Sequence, residues 1–401
     1  MAKTKIALVH DYIKEYGGAE RVLETLHEMY PDAPVYTLVY CPEFLGPHKA
    51  RFKNWDIRES FVGNIPFKEK FISIFRLIAP FVFQSFDFSE YDVILVSATG
   101  AYTPNMIKKK SAVQLCYCHT PPRYLYGYAT ARNLSNNLFL RGCAKIANHV
   151  LRMIDYMSSQ RVDIFIANSE NVKARIKKFY GKEAVVVYPP VSRPHPNPLP
   201  KGEGDHGENY YIAGGRLARP KHIDLIIKAC MELDVPLKIF GKGFAGYGEE
   251  LHSLVIANEV KQSRDRHVIF RQEKSARDDG NVEFMGEVTD EDKMRLLAGA
   301  KAYIFAGEDE DFGILPVEAM SVGTPVIAYR SGGVVETVME GKTGIFFEKL
   351  TVESLKKAMQ KFEKTSFAKA SAVKQAEKFS KKNFEKGIRA IVENNFNQTA
   401  S

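Results

Sequence analysis

Apolar residues come in short continuous runs, separated by stretches whose apolar positions recur every three to four residues. In the first half the runs are KIALVH (5–10), VYTLVY (35–40), YDVILVSA (91–98), AVQLCYC (112–118), RVDIFIANS (161–169) and AVVVYPP (184–190). Helices are predicted from about Ala19 to Met29 and from about Glu170 to Phe179. In the second half the runs are NYYIAGG (209–215), VPLKIFG (235–241), NVEFMG (281–286), KAYIFAG (301–307), TPVIAY (324–329) and TGIFFE (343–348), with helices near His222–Leu233 and Leu315–Val322. Runs rich in Val, Ile and Leu without alternation suit parallel strands buried on both faces. Because the strand–helix repetition restarts after residue 190, the pattern predicts an α/β protein of two doubly wound domains, 1–190 and 191–382.

Two polar stretches interrupt this pattern. Residues 192–209, SRPHPNPLPKGEGDHGEN, hold four prolines and three glycines with almost nothing to bury, and read as an exposed linker. Residues 255–280 are highly charged and read as a loop-like surface insertion. The stretch from about Thr351 to Asn395 has helical spacing. Its last part, about 383–397, presents Phe384, Ile388, Ile391, Val392 and Phe396, and is expected to pack back on the first domain.

Ligands of open α/β sheets bind at the carboxyl ends of strands, so motifs just after strands carry the chemistry. After the first strand, Gly17-Gly18 open a helix, where backbone N–H groups and the positive dipole end suit a phosphate. A glycine pair before a helix is also an ordinary turn. After NYYIAG, Arg216 and Lys221 are two cations able to grip a diphosphate through charge-assisted hydrogen bonds. Gly241 begins a Gly-x-Gly that does not complete a dinucleotide fingerprint, so a nicotinamide cofactor is not expected. After KAYIFAG comes EDEDFGILPVEAMSVGTPVIAYRSGGVVETV (308–338). Its D-x-D could hold a metal through oxygen ligands. Phe312-Gly313 turn the chain, and Pro316 suits the first helical turn. Glu318 is expected in that turn, facing the same cleft as Glu310, so that each carboxylate bridges a vicinal hydroxyl pair.

Charge and composition narrow the partners. The net charge of +8 favours anionic company: phosphorylated small molecules, acidic lipid headgroups or nucleic acid. No basic-aromatic reader motif points to nucleic acid. Residues 67–86 interleave Lys68, Lys70 and Arg76 with Phe71, Phe75, Phe81 and Phe83, which suits either a membrane-surface segment or a buried helix. Five scattered cysteines give no disulfide framework or zinc spacing, and the first apolar run is too short for a signal-peptide core. A cytoplasmic, reducing compartment is therefore expected.

Taken together, Gly17-Gly18-Ala19-Glu20, CHTPPRYLYG from Cys118, ANSE from Ala167, GRLARPK at 215–221 and the E-x7-E element from Glu310 resemble family 4 glycosyltransferases. The wording is similar to bacterial mannosyl-type enzymes of polysaccharide assembly. The resemblance implies the two-domain GT-B fold, retention of anomeric configuration, a nucleotide-sugar donor (GDP-mannose first, a UDP-sugar second) and a saccharide or lipid-linked acceptor. It implies no metal and no other cofactor. Glu310 would hold the donor sugar, His119 would face that sugar across the cleft, Arg216 and Lys221 would neutralise the leaving diphosphate, and Glu318 would bind ribose. Gly17, Gly18, Gly241, Phe312, Gly313, Ile314 and Leu315 would line the donor. Ala306 departs from the proline common there. A sugar-nucleotide epimerase, a glycan phosphorylase or a non-catalytic binder of anionic lipid remain as alternative readings.

Overall fold

A computed structural model describes residues 4–100, 103–128, 138–191, 209–265 and 281–399. They divide into two compact units: residues up to 190 together with 379–399, and residues 191–378. The first is built on seven parallel strands: β1 (Ile6–His10), β2 (Val35–Thr37), β3 (Ile57–Glu59), β4 (Val93–Ala98), β5 (Val113–Cys118), β6 (Ile164–Ala167) and β7 (Ala184–Val186). Their order is β3-β2-β1-β4-β5-β6-β7. The continuous apolar runs have a direct cause here. Along β4, Ile94 and Val96 enter the core on one side of the sheet, and Val93 and Leu95 enter the core on the other. Each such buried side chain contributes about 1.5–3 kcal/mol. The helix Lys381–Thr399 belongs to this unit, with Phe384, Ile388 and Val392 packed one turn apart among Leu8, Val22, Leu23 and Leu26.

The second unit has six parallel strands: β8 (Tyr211–Gly214), β9 (Leu237–Phe240), β10 (Val282–Gly286), β11 (Ala302–Phe305), β12 (Val326–Tyr329) and β13 (Gly344–Phe347). Their order is β10-β9-β8-β11-β12-β13, so the chain reverses its direction of travel across the sheet between β8 and β11. The polar stretch expected to loop out from residue 255 instead continues a helix, Tyr247–Asp265. Leu251 and Val255, one turn apart, pack into the core of the unit and hold that helix down. Residues 266–280 and most of the 192–209 stretch lie outside the described residues.

Residues 67–86 divide between the two expectations. The helices Lys68–Phe75 and Ala79–Phe83 bury Ile72, Phe75, Ala79, Val82 and Phe83 in the first unit's core. Their other side exposes Phe67, Phe71, Ile74, Leu77, Ile78 and Phe81. No helix among the described residues is long and apolar enough to cross a membrane.

The first unit also buries a carboxyl group. Asp155, in the helix Leu138–Gln160, accepts hydrogen bonds from Tyr126 Oη (2.8 Å) and Tyr180 Oη (2.9 Å). Burial outweighs these bonds and pushes the carboxyl from its ordinary 3.8 up to about 6. Between these values the native state binds more protons than the unfolded chain, so this group's contribution to stability is lost as pH rises through 6. Asp155→Asn removes the titration. The stability of the wild type relative to this variant is expected to fall by about 2 kcal/mol between pH 4 and pH 7 in chemical denaturation. A difference that stays constant with pH would contradict this.

Candidate active site

The loops that follow β8 and β11 meet where the strand order reverses, the place an open α/β sheet offers a ligand. After β8 come Arg216, a single 3-10 turn Arg219–Lys221 and the helix Ile223–Leu233. After β11 the chain runs through Glu308–Gly313 into the helix Ile314–Ser321. The loops are stitched together: Glu308 N donates to Pro220 O (2.8 Å), and His222 Nε2 stands 3.4 Å from Glu308 Oε2. Lys221 is ion-paired with Glu310, and its ammonium also lies 5.1 Å from the centre of the Phe305 ring. The side chains of Lys221 and Glu310 remain 24% and 22% exposed, so a ligand can reach both. Arg216 carries its guanidinium 5.5 Å from the Phe244 ring centre. The expected phosphate cation and the expected sugar carboxylate are thus brought into contact, a pairing that neither motif shows by itself.

The backbone explains the glycines around this pair. Gly241 adopts φ +122°, and a Cβ there would sit 1.8 Å from Gly215 O, so the loops after β8 and β9 close on each other only with glycine. The glycines late in the E-x7-E element have a similar cause. Gly333 N donates to Glu310 O (2.8 Å). A Cβ on Gly332, at φ +67°, would lie 2.1 Å from that same oxygen. Gly332 and Gly333 therefore form the floor under Glu310. Gly313, at φ +87°, caps the following helix. Ile314 and Leu315 open that helix and are half-buried, whereas the Phe312 ring is buried and serves as an anchor rather than a surface for a ligand.

Glu318 departs from expectation. It is the fifth residue of its helix, beyond the first turn, and is buried. Its Oε1 accepts from Lys293 Nζ (2.9 Å), which also reaches Asp290 Oδ1 (3.0 Å). Lys293 comes from the helix Asp290–Gly299 and is itself buried. The pair ties two helices together.

In the first unit, Gly17 is the N-cap of the helix Gly18–Met29. Its N–H is not bare, because it donates to Glu20 Oε2 (2.8 Å). Its φ of −129° does not demand glycine. His119 directly follows β5. Its backbone N donates to Ala98 O (2.9 Å), and its carbonyl accepts from Asn168 Nδ2 (2.9 Å). The ANSE motif is structural here: Asn168 holds His119 in place, and Ser169 caps the helix Glu170–Tyr180. Burial, with His10 close by, pushes the His119 imidazole down to about 3, so it is neutral at physiological pH. Sequence reasoning missed Lys293, Gly332, His10 and Ser97. The last two stand out in the sequence as polar residues within otherwise apolar strand runs.

Known proteins share this chain's family and fold. The family model for glycosyltransferase family 4 matches residues 16–193, and the model for glycosyl transferases group 1 matches residues 199–386. The chain belongs to family 4 of the glycosyltransferases. Among curated family members, an α-1,3/1,6-mannosyltransferase of Kluyveromyces lactis is 26% identical over 279 residues, 63% of this chain and 53% of that protein. The mouse α-1,3/1,6-mannosyltransferase is 25% identical over 317 residues, 73% of this chain and 70% of its own. The chain thus spans about half of the length of the first of these relatives. Among solved structures, Anabaena HepE in complex with UDP and glucose superposes with a TM-score of 0.66 at 18% identity, covering 98% of this chain and 100% of that one. Sucrose-phosphate synthase from Thermosynechococcus elongatus reaches a TM-score of 0.72 at 16% identity, covering 99% and 100%. These likenesses identify the fold as the GT-B type of two Rossmann-like units.

Proposed function

We propose that this glycosyltransferase moves mannose, with retention, from GDP-mannose to a lipid-linked saccharide in surface polysaccharide synthesis. A UDP-sugar is the second choice of donor. The observation that carries the reading is the Lys221–Glu310 pair at the switch point of the second sheet, with Arg216 on the same loop as Lys221. The mannosyltransferase relatives support the choice of sugar. Departure of the nucleoside diphosphate places negative charge on phosphate while the sugar carbon becomes oxocarbenium-like. Arg216 and Lys221 stabilise that charge, the role a divalent metal plays in D-x-D enzymes, so catalysis needs no metal. Glu310, next to Lys221, accepts hydrogen bonds from the sugar hydroxyls. His119, neutral, offers the sugar a further hydrogen-bond partner.

The exposed aromatic side of residues 67–81, with the exposed Lys70 beside Phe67, is proposed to rest on an anionic cytoplasmic leaflet, where a lipid-linked acceptor is presented. Lys68 is instead paired with Glu59, and Arg76 lies over the Tyr124 ring. One assay tests both parts. GDP release from GDP-mannose is followed with a lipid-linked acceptor in anionic or in neutral vesicles, with chelator present. Release that depends on acceptor, survives chelation, is faster on anionic vesicles and loses that advantage at high salt is expected. Release without acceptor would point to hydrolysis or epimerisation, and equal rates on both vesicles would remove the membrane contact.

A further inference from the structure

A chain of buried polar groups runs beneath His119. His119 Nε2 is 2.9 Å from Ser97 Oγ, and Ser97 Oγ is 3.1 Å from His10 Nδ1. His10 Nε2 faces Glu20 Oε1 at 3.7 Å, longer than a hydrogen bond. Glu20 Oε2 accepts the Gly17 N–H at 2.8 Å. His10 and Ser97 are fully buried and Glu20 is nearly so. The groups come from the ends of β1, β4 and β5 and from the first turn of the helix Gly18–Met29, all in the first unit.

The chemistry of this chain leaves little freedom. Ser97 has a single hydroxyl proton. It donates to one imidazole nitrogen and accepts from the other, so one ring must present N–H and the other a lone pair. The Glu20 carboxylate is an acceptor only, and it favours the His10 proton on Nε2. His10 Nδ1 is then a lone pair and takes the Ser97 proton. Ser97 Oγ in turn accepts from His119 Nε2–H. We infer that Glu20, His10 and Ser97 are positioning residues that fix His119 in its Nε2–H tautomer, leaving Nδ1 as a hydrogen-bond acceptor for a sugar hydroxyl. The Tyr117 ring, edge-on with centroids 5.1 Å apart, further restricts the imidazole. The same Glu20 carboxylate ties the relay to the Gly17-Gly18 turn, so a turn that reads as a phosphate loop also sets a proton position some distance away.

The kinetic part of this inference rests on the proposed contact of His119 with the sugar; the tautomer part does not. The test uses the full chain with histidine nitrogens labelled with 15N. Wild type is expected to show the ring-nitrogen shifts of an Nε2-protonated His119. In Glu20→Gln, the amide oxygen still accepts from Gly17, but the amide N–H now faces His10 Nε2. Every proton along the relay then reverses, and His119 is expected to become Nδ1-protonated. Ser97→Ala should instead give a mixture of tautomers. Glu20→Gln should also lower kcat roughly tenfold, the worth of one hydrogen bond, with donor KM little changed. A wild-type His119 protonated on Nδ1, or a tautomer unmoved by Glu20→Gln in a variant that folds by circular dichroism, would overturn the relay. A tautomer that flips with kcat unaltered would uphold the relay and refute the contact of His119 with the sugar.

Discussion

Glu310→Gln is expected to lower kcat by ~10²–10³, with the donor KM unchanged or lower. The magnitude is that of losing one preorganised charge-stabilising group. The split between the two constants follows from the ion pair. In the free enzyme Glu310 neutralises Lys221. Glutamine removes that competition, so Lys221 meets the diphosphate unopposed and ground-state binding does not suffer. What is lost is a carboxylate whose hydrogen bonds strengthen as the sugar ring flattens and gains positive charge. Interactions made only in the transition state appear in kcat. Steady-state kinetics with varied donor will show this. A raised donor KM at unchanged kcat would mean that Glu310 binds an unreacting part of the donor. Asp309→Asn serves as the comparison and is expected to be mild; equal damage there would revive a metal-binding reading of the acidic stretch.

Gly332→Ala, without touching any ligand, is expected to lose about 2–4 kcal/mol of stability and a tenfold or larger share of kcat. Alanine pays for the left-handed φ of +67°, and its Cβ would sit 2.1 Å from Glu310 O. The loop must move, and the Gly333 N–H to Glu310 O bond of 2.8 Å moves with it. A shift of the Glu310 carboxylate by even an ångström spoils its aim at the sugar. Thermal unfolding and kcat measured on the same preparation separate the effects. A variant as stable and as active as wild type would show that the Glu310 loop is not held from below by this turn.

The strands were readable because they lie inside parallel sheets, where both faces are apolar and no alternation dilutes the signal. The helix Tyr247–Asp265 was not, because Leu251 and Val255 are sparse anchors among polar residues. At the site, Arg216, Lys221 and Glu310 were legible from their place just after strands. Their arrangement was not: the Lys221–Glu310 pair joins residues 89 apart in sequence. Glu318 shows the same limit. Its spacing from Glu310 suggested a shared role, but its neighbour is Lys293, 25 residues upstream on another helix. Gly332 and Gly333 were visible as glycines, whereas the backbone they make room for appears only in the fold.

The central claim is that a nucleotide sugar binds where the loops after β8 and β11 meet, through the charges of Arg216 and Lys221. Calorimetric titration of GDP-mannose, and of a UDP-sugar in parallel, into wild type and into Arg216→Ala/Lys221→Ala tests it most directly. Each charge-assisted hydrogen bond lost costs roughly 1.5–3 kcal/mol, so the double variant should bind its donor at least ~100-fold more weakly while unfolding at nearly the same temperature. Donor affinity that survives the double substitution intact would place the nucleotide elsewhere and contradict the account.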